Sequence, residues 1–103
     1  MTSTVTRIEI APEVFDDFDR IFDHIARFDV GSAPDRIGEI LEAVQILATS
    51  PLIGRPVRTG KRELLIGRAS RGYIALYRYV MGIDTVFLLA VRSQRESGFK
   101  RKS

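Results

Sequence analysis

The sequence predicts an α+β fold: an N-terminal strand, a two-helix hairpin, then a three-stranded antiparallel meander, with all four strands in one sheet. Three observations predict it. Residues 5–10 alternate apolar and polar side chains. Residues 12–29 and 34–50 carry apolar side chains at three- and four-residue spacing. From about residue 60 the apolar period drops to two and stays there until Arg92, which exchanges helix for strand.

Each element has its own signal. Val5-Thr6-Arg7-Ile8-Glu9-Ile10 reads as a strand with one buried face, broken by Ala11-Pro12. Proline suits a helix start, and Val14, Phe18, Ile21, Ile25 and Phe28 then repeat as a stripe widened by Phe15 and Phe22. Acids crowd the first turns of this helix, where the dipole favours them. Gly31-Ser32 ends it, and Ser32 with Asp35 resembles a capping box in which Asp replaces Glu. The second helix shows Ile37, Ile40, Leu41, Val44, Leu47 and Ala48 on one face and stops at Ser50-Pro51, because the residue before proline avoids the α region. Residues 51–56 read as turn. Glu63–Gly67, Gly72–Val80 and Asp84–Arg92 read as strands, the last two joined by the tight Met81-Gly82-Ile83 link. The expected core is Phe18, Ile21, Ile25, Ile40, Leu41 and Val44 between helices and sheet.

At 103 residues the chain has the length of one domain, expected to span 1–103 with a flexible tail at 99–103. Its 45% hydrophobic and 28% charged residues are those of an ordinary globular protein. Cysteine is absent, which excludes disulfides, thiolate metal sites and a cysteine nucleophile. The longest apolar run, Val86–Val91, is far too short to span a bilayer. The first residues lack the apolar core of a signal peptide, so a cytoplasmic location without membrane contact is expected.

The net charge of +3 hides an asymmetry. Residues 1–50 hold four arginines against ten acids, 4 − 10 = −6, and residues 51–103 hold twelve bases against three acids, 12 − 3 = +9. Such a split points to a basic surface made by the C-terminal half and an acidic or polyanionic partner. The alternative is that the two halves neutralise each other on folding.

Chemistry-bearing residues concentrate in the basic meander. Arg78 and Arg92 interrupt apolar strand faces near their ends, where a guanidinium can grip phosphate or carboxylate bidentately or simply lie along the sheet rim. Arg68 and Arg71 flank a strand-to-strand turn. Tyr73, Tyr77 and Tyr79 share one strand face and could stack on bases or pack inward. The single histidine, His24, has no second histidine at i+4 and no cysteine, so no metal site is expected. Asp16 and Asp17 point in different directions on a helix. No Gly-rich phosphate loop, HExxH or local Ser-His-Asp context occurs, and no cofactor is implied.

Four blocks in order make the string resemble the RelE/ParE toxin superfamily of bacterial type II toxin–antitoxin modules. They are Gly54-Arg55-Pro56, Arg62-Glu63-Leu64-Leu65-Ile66-Gly67, Tyr73-Ile74-Ala75-Leu76-Tyr77-Arg78-Tyr79 and Val91-Arg92-Ser93-Gln94-Arg95-Glu96. The resemblance covers essentially the whole chain and implies a cognate antitoxin that holds the toxin inactive, in a hetero-oligomer or beside a toxin dimer. It also implies two activities. ParE-like members inhibit DNA gyrase; RelE-like members cleave mRNA in the ribosomal A site without a metal. Many relatives carry Arg-His-Gln-Arg-Glu at the end of the last strand, where this chain has Ser93 in the histidine position. No Tyr or His follows in the tail. An arginine never releases its proton, so a general acid is missing, and the resemblance favours the ParE-like branch with gyrase as target. The alternatives are a ribonuclease using Arg68, Arg78 and Arg92 to stabilise a phosphate, or a non-toxic antitoxin-binding protein. The resemblance places antitoxin or target contacts at Arg68, Arg71, Tyr73, Arg78, Arg92, Gln94 and Arg95.

Overall fold

The structure is a computed structural model that describes residues 5–28, 30–67 and 72–94. Strand β1 (Arg7–Ile10) leads into helix α1 (Glu13–Ala26), a 3-10 turn over Val30–Ser32 and helix α2 (Ala33–Val44), which tightens into a 3-10 turn over Gln45–Ala48. Four strands follow: β2 (Arg55–Pro56), β3 (Arg62–Ile66), β4 (Tyr73–Val80) and β5 (Thr85–Ser93). They form one sheet in the order β1-β5-β4-β3-β2. The meander is antiparallel as expected, while β1 runs parallel to β5 with Ile8 opposite Val86 and Ile10 opposite Leu88.

The strand count is five, not four. Arg55 and Pro56 pair with Glu63 and Arg62. A proline cannot donate to a ladder, so the stretch reads as turn, but at a sheet edge its missing N–H costs nothing. The helices are also shorter than the periodicity predicts. Phe28 lies past the end of α1 and is 80% exposed. The capping box at Ser32 does not form: the preceding 3-10 turn already holds Ser32 at helical dihedrals (φ −93°, ψ −11°), and its hydroxyl makes no cap bond.

Both helices lie over one face of the sheet. Val14, Phe18 and Ile21 of α1 and Ile40, Val44 and Leu47 of the second helical stretch are buried against Ala75, Tyr77, Val86, Leu88 and Val91. Ile25 and Leu41, expected in the core, pack at its margin and are only partly buried.

The decisive irregularity lies on β5. Tyr77 pairs with Leu88 but Leu76 pairs with Ala90, so Leu89 is an extra residue in the ladder. Such a bulge flips the face assignment of everything beyond it. Strict alternation would group Val86, Leu88, Ala90 and Arg92. Instead Val86, Leu88 and Val91 face the helices, and Ala90 and Arg92 lie opposite Leu76 and Ile74 on the other face.

On its other edge β5 extends beyond the end of β1, whose pairing stops at Leu88. Helix α1 closes this stretch with side chains. The carboxylate of Asp17, 2% exposed, accepts the Val91 N–H at 2.9 Å. Arg20 donates to the Val91 carbonyl at 3.2 Å and to Asp17 at 2.9 Å.

Candidate functional site

Because of the bulge, the face away from the helices collects two of the expected arginines. Arg78 stands opposite Phe87 and is exposed; Arg92 stands opposite Ile74, half-buried, and donates to the Ser93 carbonyl at 3.2 Å. From Ile74 to Arg78 the strand advances roughly 13 Å, so the two arginines suit two anionic groups along a partner better than one shared phosphate. Between them lie Ile74, Leu76 and Ala90, all buried. Gln94 follows β5 and is fixed by its backbone N–H on the Gly72 carbonyl at 3.0 Å.

The tyrosines turn the other way. Tyr73 is buried in the core on the helix-facing side, together with Tyr77. Tyr79 donates to Asp84 at 2.7 Å, as does Thr6 at 2.8 Å, so the β4–β5 turn is tied to the start of β1. The hydrogen bond from Tyr79 is the main cause holding the Asp84 carboxyl below its ordinary value, with Thr6 second; the same bond pushes Tyr79 up. Asp84 itself sits in the left-handed region at φ 46°, which aspartate tolerates better than most residues. Arg68, Arg71 and Arg95 lie outside the described residues, as does the tail at 99–103.

Several residues of the resemblance blocks turn out to build one loop clamp. The Tyr77 hydroxyl, in the core, donates to the Pro51 carbonyl at 2.8 Å and accepts the Gly54 N–H at 2.9 Å. Burial is the largest influence on that hydroxyl and pushes its pKa up. Gly54 is required by proximity: a Cβ there would lie 2.7 Å from the Tyr77 ring and hydroxyl and 2.8 Å from the Glu63 carbonyl. Arg62 donates to the carbonyls of Gly54 at 2.7 Å and Leu52 at 3.1 Å. Arg55 grips one Glu63 oxygen through two nitrogens, at 2.7 and 3.1 Å. Sequence reading missed these roles, and it missed Asp17 and Arg20. The available signal for Asp17 was an acid sitting inside the Val14, Phe18, Ile21 stripe with an arginine three residues on.

Among the described residues no group of three or more His, Asp or Glu gathers to hold a metal. Nor is any described helix long and apolar enough to cross a membrane.

A helical hairpin over one face of a five-stranded sheet is the architecture of RelE/ParE-like toxin structures. The sequence matches the family described as ParE toxin of type II toxin–antitoxin system, parDE, over residues 8–98, and the chain belongs to it. No curated protein matches it by sequence. The fold is similar to that of a chromosomal ParDE toxin–antitoxin system from P. aeruginosa, with a TM-score of 0.74 and 24% identity over 88% of this chain and 98% of that one. It is also similar to a RelBE toxin–antitoxin complex from Mycobacterium tuberculosis, with a TM-score of 0.53 and 21% identity over 87% of this chain and 99% of that one. A double arginine-to-alanine mutant of the E. coli toxin RelE in the free state gives a TM-score of 0.55 and 14% identity over 90% of this chain and 87% of that one.

Proposed function

We propose that this toxin inhibits DNA gyrase and does not cleave mRNA, that a cognate antitoxin neutralises it in the cytoplasm, and that residues 1–103 act as one domain. The observation that carries the choice of target is the make-up of the face holding Arg78 and Arg92. Its centre is the apolar set Ile74, Leu76 and Ala90, and its carboxylate, Glu63, is engaged by Arg55. The Tyr77 hydroxyl is spent on the 51–54 loop. Phosphodiester cleavage needs a positioned proton donor and acceptor, and among the described residues this face offers guanidiniums without one. Guanidiniums set over a buried apolar strand face, with no proton donor and acceptor beside them, suit recognition of carboxylates on a protein partner instead. Arg78, Arg92 and Gln94, with Arg68, Arg71 and Arg95, are the proposed contacts for antitoxin or target.

The test sets the purified full chain against gyrase supercoiling and against mRNA on programmed ribosomes. Supercoiling should stop and mRNA should stay intact. Ribosome-dependent cutting that Arg92→Ala abolishes would overturn the assignment and establish the ribonuclease reading. Antitoxin affinity should fall with added salt and with Arg78→Ala or Arg92→Ala; affinity indifferent to both would place the antitoxin elsewhere.

A further inference from the structure

We propose that the cleft between α2 and β3 takes up an extended segment of a protein partner as an added strand on the β3 edge, the segment presenting one apolar and one basic side chain, two residues apart, to the cleft. Three independent features point there. The first is the edge itself. β2 covers β3 only at Arg62 and Glu63, so among the described residues Leu64, Leu65 and Ile66 border no further strand. An edge of this kind is a ready template for main-chain pairing.

The second feature is the cleft beside that edge. It is lined by Glu39, Glu42, Ile46, Ile53, Leu64 and Leu65. Ile46 is 44% exposed, Ile53 53% and Leu65 56%, an apolar surface whose burial would favour association. Tyr77, Arg62 and Gly54 hold the 51–54 loop and hence Ile53 in place, so the cleft is pre-formed and little ordering is needed on binding.

The third feature is charge. Glu39 and Glu42 are exposed and enter none of the ion pairs among the described residues, in a chain whose net charge is +3. Along the helix the lining runs Glu39, Glu42, Ile46, from acidic to apolar. Glu42 and Ile46 are one turn apart, about 6 Å, and two residues of a strand cover about 7 Å. Same-face side chains of an added strand are therefore spaced to reach both the apolar and the acidic part of the lining. An acidic segment would be repelled, and a helix laid in the cleft would leave the β3 edge unpaired. This surface lies mostly beside the helices, although Leu65, paired with Ile74, is on the sheet face that carries Arg78 and Arg92, two strands from Arg92; the proposal does not depend on which target the toxin attacks.

The experiment titrates the isotopically labelled full chain with an acetylated, amidated octapeptide, Thr-Leu-Thr-Leu-Thr-Lys-Thr-Lys, and with its counterpart bearing Glu for Lys. The Lys peptide should shift the amide signals of Leu64–Ile66 and slow their hydrogen exchange. It should bind about tenfold tighter than the Glu peptide, within reach of two charge pairs. Glu39→Lys combined with Glu42→Lys should invert that preference. Leu65→Asp, a change at an exposed position that leaves the fold intact by thermal melt, should weaken both peptides. Equal affinity for the two peptides would overturn the proposal, and so would shifts confined to other elements or no shift at millimolar peptide. Tighter binding by a helical Leu/Lys peptide without protection at Leu64–Ile66 would overturn the strand mode.

Discussion

Replacing Tyr77 with Phe removes one oxygen from a side chain that is fully buried and takes partners from two backbone groups. The Gly54 N–H loses an acceptor at 2.9 Å and the Pro51 carbonyl loses a donor at 2.8 Å. A backbone group left unsatisfied in the interior costs about 1–3 kcal/mol. The two sites are unequal. Pro51 is half-buried beside exposed Leu52 and Ile53, so water reaches its carbonyl. Gly54 is buried, and its N–H bears the full penalty. We expect a loss of about 2–4 kcal/mol, mostly from Gly54. With an m-value of about 2 kcal/mol/M in urea, the unfolding midpoint should fall by about 1–2 M at unchanged slope. Gly54→Ala supplies the cross-check, because its Cβ would lie 2.7 Å from the Tyr77 hydroxyl. Its cost should shrink in the Tyr77→Phe background, since neighbouring changes that share an obstacle do not add. A loss under about 1 kcal/mol for Tyr77→Phe would refute the reasoning, by showing that water already satisfies the loop.

Other perturbations test other joints. Asp17→Asn keeps an acceptor for the Val91 N–H but breaks the pair with Arg20, whose side chain is 32% exposed. The loss should be about 2–3 kcal/mol, below the fully buried figure; Asp17→Ala, which also removes the acceptor, should in addition speed hydrogen exchange at Val91, and unchanged exchange in that variant would show that α1 does not cap β5. Phe18→Ala, in the core, should cost about 3–5 kcal/mol by chemical denaturation. Stability should fall at both ends of the pH scale. The lowered Asp84 contributes above the ordinary carboxylate pKa and its share is lost as pH drops through the lowered value. Tyr77 and Tyr79, both raised, contribute below the ordinary phenol value, and that share is lost as pH climbs through theirs. Phenolate absorbance should show fewer late-titrating tyrosines in Tyr77→Phe.

The architecture was legible because it rests on periodicity. The change from 3.6 to 2 near residue 60 and the apolar stripes of both helices are set by burial against one sheet face, and burial writes itself into composition. What escaped the sequence depends on geometry that no local residue announces. The bulge at Leu89 needs no glycine, yet it decides that Arg92 shares a face with Arg78 rather than with Val86 and Leu88. The strand at Arg55–Pro56 contains the residue least compatible with a strand interior, and only its edge position permits it. Tyr77 belongs to a row of tyrosines that could equally stack on a partner; its hydroxyl points to a loop 26 residues earlier, a distance pattern cannot express. The resemblance blocks around Gly54 and Arg62 mark a structural clamp as much as a binding surface.

The charge split shows how far such geometry reaches. The ion pairs among the described residues are Arg7–Glu9, Asp17–Arg20 and Arg55–Glu63. Each lies within one half of the sequence, so these pairs do not neutralise the acidic half with the basic one. Glu13, Asp16, Asp19 and Asp23 of α1 and Glu39 and Glu42 of α2 stay exposed on the helices, while Arg58 and Arg78 stay exposed on the meander side. Six of the twelve bases after residue 50, Arg68, Arg71, Arg95, Lys100, Arg101 and Lys102, lie outside the described residues. Acidic helices and a basic sheet face are set on opposite sides of a sheet, and at physiological salt the screening length is about 8 Å. The two surfaces therefore act independently on partners. Charge reversal at Glu39 and Glu42 should leave unchanged any binding that runs through Arg78 and Arg92, including its salt dependence, while added salt weakens attraction at both surfaces. A salt slope at the arginine face that changes on reversing Glu39 and Glu42 would show that the two surfaces meet one continuous partner.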